Sequence, residues 1–358
     1  MKRVFLTTSC LLLAIGTCGA PLITRLYFIN GGKRKWFSSW LQTGGWPIVL
    51  VPLLVAYTRR RRKSARTKIF YMKPRVLAAT LGIGTLSGLG DYLYMYGAAQ
   101  LPVSTSSIIL ASQLAFTAAF AFLLVKQKFT SHSVNAVILL TVAAVILGIH
   151  FLMTAGTTVL FGLMLPLVEL TYKKAKQAVT LTLVLEMQLV ISFVATAFCT
   201  VGMIINNDFQ AIAGEAKAYG LGETKYYLVV VWIAIISQFC NLGALGIIFY
   251  SSSLLSGIMI TVLLPVTEIL AVIFYREKFQ AEKGVSLFLS LWGFISYFYG
   301  EIKHSNTNTT NNDNKQKNMN MKQTSTNTTN SDNKQKNMNM NQTEEEEEIE
   351  LALQTVGS

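Results

Sequence analysis

Charge is scarce in this sequence. Asp, Glu, Lys and Arg make up 14% of its 358 residues, against about 25% in a soluble domain. Histidine occurs three times and cysteine four times. Cys10, Cys18, Cys199 and Cys240 all lie in apolar stretches, and none forms a short-spaced pair. They read as small packing residues, not as a disulfide framework or a metal site. His150 stands alone inside an apolar stretch, and His132 and His304 lie at the ends of such stretches. There is no nucleophile elbow, no cluster of His and Cys, and no glycine-rich phosphate loop. The chain reads as a non-enzyme without cofactor or metal.

What is abundant is apolar sequence in long blocks. Hydrophobic residues make up 52% of the chain, and they run around the whole helix circumference where a soluble helix would show one stripe. A bilayer core about 30 Å thick takes roughly 20 residues of helix. Ten blocks meet or approach that length: 5–28, 37–57, 76–99, 104–125, 133–153, 157–172, 180–205, 226–249, 251–275 and 284–300. The expected fold is all-α and polytopic. The first 20 residues also have the basic start, apolar middle and small-residue end of a secretory signal. The apolar run continues to Ile29, however, so the block is expected to stay as a first helix.

The net charge of +13 concentrates in one place: nine Lys and Arg within residues 59–75, "RRRRKSARTKIFYMKPR", with no acid among them. A basic run between two apolar blocks fixes membrane topology more readily than it binds nucleic acid. With both termini cytoplasmic, the loops and near termini on that side hold 17 Lys and Arg against 8 on the other. That bias predicts both termini inside.

The chain repeats itself. Shifted by 150 positions, "QLAFTAAFAFLLVKQKF" (113–129) falls on "LLPVTEILAVIFYREKF" (263–279). Ser106 then meets Ser256, Thr117 meets Thr267, Lys128 meets Lys278, and Asp91 meets Asn241. "PLITRLY" (21–27) resembles "PLVELTY" (166–172), and "WLQ" (40–42) resembles "EMQ" (186–188). Five helices per copy invert the second copy in the membrane, which is a transporter architecture with its site between the halves. Expected boundaries are 1–153 and 154–303 for the two repeats. From 304 to 358 the sequence is an Asn-rich and acidic tail, expected to be cytoplasmic and disordered.

Four acids lie inside blocks: Asp91, Glu169, Glu186 and Glu268. Ionisable groups in hydrocarbon are functional candidates by default. Glu169 has Lys173 four residues on and reads as an ion pair. Glu186 is close enough to its helix start to reach toward Lys173, Lys174 or Lys176. Asp91 and Glu268 are deeper; Glu268 is the first candidate for proton coupling, with Asp91 as its rival or partner in the task. Glu268 stands where the first copy has Ala118, beside Pro265, whose ring leaves the Thr261 carbonyl without its helix donor.

Polar stripes mark the candidate substrate contacts. Ser106, Gln113 and Thr117 share one helix face; Ser256 and Thr267 repeat it. Ser39, Gln42 and Trp46 form another, and Gln188, Ser192, Thr196 and Thr200 a third. Tyr92 and Tyr96 offer rings one turn apart on the Asp91 helix. The expected binding residues are Gln113, Trp46, Gln42, Tyr96, Thr117, Asn241 and Thr267. Each has a plainer reading as helix-to-helix glue, which is also the reading of "GTLSG" (84–88). Cationic side chains within the blocks are limited to Arg25 and His150. Phosphorylated solutes want Lys or Arg, so a neutral or cationic flat heterocycle fits better than a nucleotide sugar.

Several strings resemble the plant purine permeases of the drug/metabolite transporter superfamily: "SSWLQTGGWP" (38–47), "LPVSTSS" (101–107), "QLAFTAAFAFLLVKQKFT" (113–130), "LLPVTEILAVIFYREKFQAEKGVSL" (263–287) and "YFYGEIK" (297–303). The resemblance runs from about residue 8 to 303. It implies ten helices, a plasma-membrane location and proton-coupled uptake of adenine, cytokinins, vitamin-like pyridines or, in some branches, alkaloids. The N-terminus, nearly bare before the first helix, and the Asn-rich tail depart from the family pattern. Two other classes stay open on the residues: a membrane receptor or scaffold that binds a similar ligand without moving it, and a nucleotide-sugar-type exchanger.

Overall fold

The computed structural model describes residues 2–63, 71–101, 106, 110, 113–126, 152–175, 177–276, 288 and 292. Among these there is helix and connecting turn but no strand. All helices described below belong to one compact unit, Met1–Tyr297. The blocks at 133–153 and 284–300, His150 and the tail at 304–358 lie outside the described residues or nearly so.

The helices are α1 (Lys2–Ile29), α2 (Lys35–Gly44), α3 (Pro47–Lys63), α4 (Pro74–Gln100), α5 (Gln113–Phe120, continued by a π-helical turn over Ala121–Val125), α6 (Leu152–Lys174), α7 (Leu181–Ile205), α8 (Asp208–Ala218), α9 (Glu223–Tyr250) and α10 (Ser253–Tyr275). Among the described residues, six helical stretches are long and apolar enough to cross a bilayer: Val4–Ile29, Lys35–Arg62, Pro74–Gln100, Leu181–Ile205, Glu223–Tyr250 and Ser253–Tyr275. The protein is an integral, multi-pass membrane protein.

Local chemistry sets the boundaries. Pro74 opens α4 at a position whose N–H has no helical partner anyway. Thr180 and Ser252 cap α7 and α10 by accepting from Leu183 N and Leu255 N. Lys126 and Arg276, 150 positions apart, both follow their helices in the left-handed conformation, at φ 54° and 50°. The block read as one span over 37–57 divides into α2 and α3 at Gly45–Trp46. Gly45 lies against α9 so closely that a Cβ there would sit 2.4 Å from Ala234 O.

Small residues let the long helices touch. A Cβ on Gly243 of α9 would lie 2.5 Å from Leu13 N, and one on Gly16 of α1 would lie 2.4 Å from Cys240 Cα. These contacts make α1 an integral wall of the bundle, with Leu13 and Tyr27 fully buried. The "GTLSG" segment does the same for α4 on α7: a Cβ on Gly84 or Gly88 would come within 2.8 Å of Val194 or Phe198.

One element had no apolar signature. The short helix α8 closes the bundle end formed by the α1–α2 turn. Glu215 accepts from Tyr27 and Tyr226 hydroxyls and from Lys33 N, and Asp208 pairs with Arg34 at 3.3 Å.

Two acids differ from expectation at the opposite end. Glu169 does pair with Lys173 at 2.9 Å, but it is buried and also accepts from Ser253 N at 2.7 Å and from the Ser253 hydroxyl. It therefore ties α6 to the start of α10. Glu186 is wholly buried and accepts from Tyr71 N at 3.0 and 3.1 Å. It turns toward the segment entering α4.

Candidate functional site

Eight helices and the residue Leu110 line a cavity of about 170 Å³ within the bundle. That is smaller than the roughly 300–1,000 Å³ of pockets for drug-sized ligands; it suits a small ring system. Most of its wall is apolar, from residues such as Ile83, Leu165 and Leu264, with a limited set of polar groups.

The α4 face is built on helical spacing. Ser87, Asp91 and Tyr94 stand at i, i+4 and i+7, so one face carries a hydroxyl, a carboxyl and a ring into the cavity. Asp91 is 8% exposed, and Ser87 Oγ donates to its Oδ2 at 3.5 Å. Tyr94 pairs with Phe161 of α6, ring centroids 6.4 Å apart. These are the two aromatic rings among the described lining residues.

An amide network forms the opposite wall. Gln188 Nε2 donates to Ser192 Oγ at 2.9 Å and to Gln238 Oε1 at 3.3 Å. Gln238 Nε2 donates to Thr43 O at 3.0 Å. Ser237 Oγ donates to Gln42 Oε1 at 2.9 Å. The network locks α2, α7 and α9 together, and Gln42, Gln188, Ser192 and Ser237 all face the cavity.

Among the described lining residues no Lys, Arg or His is present, and Asp91 is the one carboxylate. Arg25 lies next door, in a pocket of about 10 Å³ that shares Pro21, Tyr94 and Leu110 with the cavity. Its guanidinium donates to Leu101 O at 3.4 Å.

Of the residues nominated from sequence, Gln42, Asp91, Gln113 and Asn241 line the cavity. Trp46, Tyr96, Thr117, Thr267 and Glu268 do not. Trp46 packs edge-on to Phe193 with centroids 5.6 Å apart. Tyr96 lies under Lys35 Nζ, 3.7 Å from its ring centre, and Tyr92 stacks on Trp36. Thr117 is buried against Gly257, between α5 and α10. Thr267 donates to Leu263 O at 3.1 Å and Thr17 O at 3.4 Å, linking α10 to α1. Glu268 is 3% exposed on α10, which runs through Pro265 without a break.

Sequence reasoning missed Tyr94 and Phe161. Tyr94 was findable, since it shares the Ser87–Asp91 face; Phe161 carries no signal beyond being apolar.

The lining contains five pairs of residues 150 positions apart: Gln42 and Ser192, Ser87 and Ser237, Asp91 and Asn241, Tyr94 and Ala244, Leu110 and Ile260.

A family model described as purine nucleobase transmembrane transport matches residues 4–151 and 148–307. Purine permease 3 of Arabidopsis thaliana is 54% identical over 323 residues, covering 85% of this chain and 92% of that protein. Purine permease 2 of the same plant is 50% identical over 334 residues, covering 85% and 93%. A solved crystal structure superposes with a TM-score of 0.53 at 13% identity, over 84% of this chain and 97% of its own, a likeness of fold alone. A chain that shares half its residues with these permeases over most of its length, and that builds a central cavity inside a bundle of apolar helices, belongs to the purine permease family, whose members are transporters and not enzymes.

Proposed function

We propose that the protein is a proton-coupled permease that takes up purine-like nitrogen heterocycles across the plasma membrane. The observation that carries this reading is the chemistry of the cavity: two rings, several amides and hydroxyls, one carboxyl, and no cation among the described lining residues. Stacking a base on an aromatic ring is worth about 1–3 kcal/mol, and Tyr94 and Phe161 offer such rings. The amides supply in-plane hydrogen bonds. The lack of a lining cation weighs against nucleotide sugars, whose phosphates need Lys or Arg. Cytokinins and plant alkaloids are included as ring systems of the same kind.

The fold in this reading has ten transmembrane helices arranged as two inverted five-helix repeats, 1–153 and 154–303. Support comes from the five lining pairs at a spacing of 150 and from the matching left-handed residues Lys126 and Arg276. Two similar halves do not by themselves couple to a proton gradient; a titrating group must break the symmetry. Asp91 faces the cavity where the second copy has Asn241, and so can meet substrate and proton together. Glu268, set against Ala118, is the second carboxyl of the coupling path, buried on α10 outside the cavity lining. Both termini are cytoplasmic, by the excess of 17 basic residues over 8.

The test is uptake of labelled adenine into proteoliposomes under an imposed inward proton gradient. The proposal expects accumulation that a protonophore abolishes. Saturable binding without accumulation favours a receptor, and accumulation indifferent to the protonophore removes proton coupling.

A further inference from the structure

The amide network has a direction, and the direction assigns a job to Gln188. Gln238 Nε2 donates to two backbone carbonyls, Thr43 O at 3.0 Å and Gln42 O at 3.5 Å. A carbonyl can only accept, so this end of the Gln238 amide must be its NH2. The Gln238 oxygen then faces α7, 3.3 Å from Gln188 Nε2 and 3.4 Å from Ser192 Oγ. Rotating the Gln188 amide by half a turn would set two carbonyl oxygens against each other. The Gln188 NH2 is therefore fixed toward Gln238, and its Oε1 points the other way. That oxygen has no hydrogen-bond partner among the described residues, although Gln188 is 1% exposed and lines the cavity. A buried acceptor left unmade costs about 1–3 kcal/mol.

A second unmade group lies on the same cavity. Ser237 occupies Gln42 Oε1, and Gln42 Nε2 has no partner among the described residues. Two wall residues thus carry an unmade acceptor, held in place by a relay of two side-chain amides and two backbone carbonyls, and an unmade donor. A ligand edge that satisfies both carries an N–H and, beside it, an unprotonated ring nitrogen. Aminopurines carry such amidine edges; a paired amide acceptor and donor reads the adenine edge in the same manner in nucleic-acid recognition.

We infer that Gln188, through its fixed Oε1, selects heterocycles that bring an N–H into the cavity, with Gln42 donating to the adjacent ring nitrogen. Fully N-alkylated bases are then poor substrates. The inference rests on the proposed function and sharpens it from flat heterocycles to those with an amidine edge.

The experiment uses the full chain in proteoliposomes, with labelled adenine as substrate and N6,N6-dimethyladenine and 9-methyladenine as competitors. The first competitor lacks the exocyclic N–H groups and the second lacks the ring N–H. Wild-type protein is expected to bind one of them at least about 5-fold more weakly than adenine, the lower end of the range for a lost hydrogen bond. Gln188→Met is expected to raise the KM for adenine and to lose that discrimination, binding adenine and the same methylated base nearly equally. A Gln188→Met protein that keeps the wild-type preference, whatever its affinity, overturns the inference. So does wild-type protein that takes adenine and both methylated bases with equal affinity, a result that needs no variant to fold. Wild-type protein that neither binds nor transports adenine overturns the proposed function along with it.

Discussion

Gly243→Ala adds one methyl group at the point where α9 meets α1. The new Cβ would lie 2.5 Å from Leu13 N, 2.8 Å from Leu13 Cα and 2.8 Å from Ser9 O. All three are backbone atoms, so no side chain can swing aside. Ordinary contact begins near 3.4 Å, which makes the required separation of the two helices about 1 Å. Overpacking of that kind costs about 1–3 kcal/mol. The functional cost follows from what α1 carries. Thr17, Ala20 and Pro21 form part of the cavity wall one to two turns from Leu13, and a displacement near 1 Å can cost as much as about 100-fold where groups must be aligned. The control is Gly82→Ala on α4, where a Cβ would meet nothing within 4 Å; helix propensity makes it neutral or slightly stabilising. Thermal unfolding in detergent and the concentration dependence of adenine uptake read the two effects. Equal melting temperature and equal uptake for Gly243→Ala and Gly82→Ala would refute the close crossing of α1 and α9.

Tyr94→Ala should weaken adenine affinity by about 5-fold to 150-fold, the range of a lost stacking platform, while Trp46→Ala and Tyr96→Ala leave it within about 2-fold at equal surface expression; competition binding checks all three. Glu169→Gln converts its contacts with Ser253 and Lys173 from charge-assisted to neutral, an expected loss of about 1–3 kcal/mol seen as a lower unfolding temperature. Adding Lys173→Met in that background should cost little more, since the pair has already lost its charge.

The transmembrane helices were legible because a bilayer imposes a length, and apolar runs of that length have few other uses. The division of 37–57 was written in "TGGWP", but a span count by apolar length passes over it. Helix α8 was invisible for the opposite reason: its residues are polar enough to read as loop, and what holds them is a set of tyrosines and an arginine distant in sequence. Within the site, periodicity told which residues share a face and not which face looks inward. Tyr92 with Tyr96 and Ser87 with Asp91 and Tyr94 are both proper helical faces; only the packing of α4 against α6 and α7 turns the second into the cavity. Glu169 shows the same limit. Its partner four residues on was readable, and its partner 84 residues away was not.

In the proposed mechanism Asp91 is the group that lets a proton gradient drive substrate through this cavity. The direct measurement is made on Asp91→Asn in proteoliposomes, comparing counterflow exchange of labelled adenine with uptake driven by an imposed pH gradient. A buried carboxyl can take up and release a proton as its surroundings change, and the amide, which keeps the shape, cannot. The account predicts that exchange survives within about 10-fold, since the substituted amide matches what the second repeat already carries at Asn241, and that gradient-driven accumulation disappears. Asp91→Asn that still concentrates adenine under the gradient, while Glu268→Gln does not, would contradict it and move the coupling to Glu268.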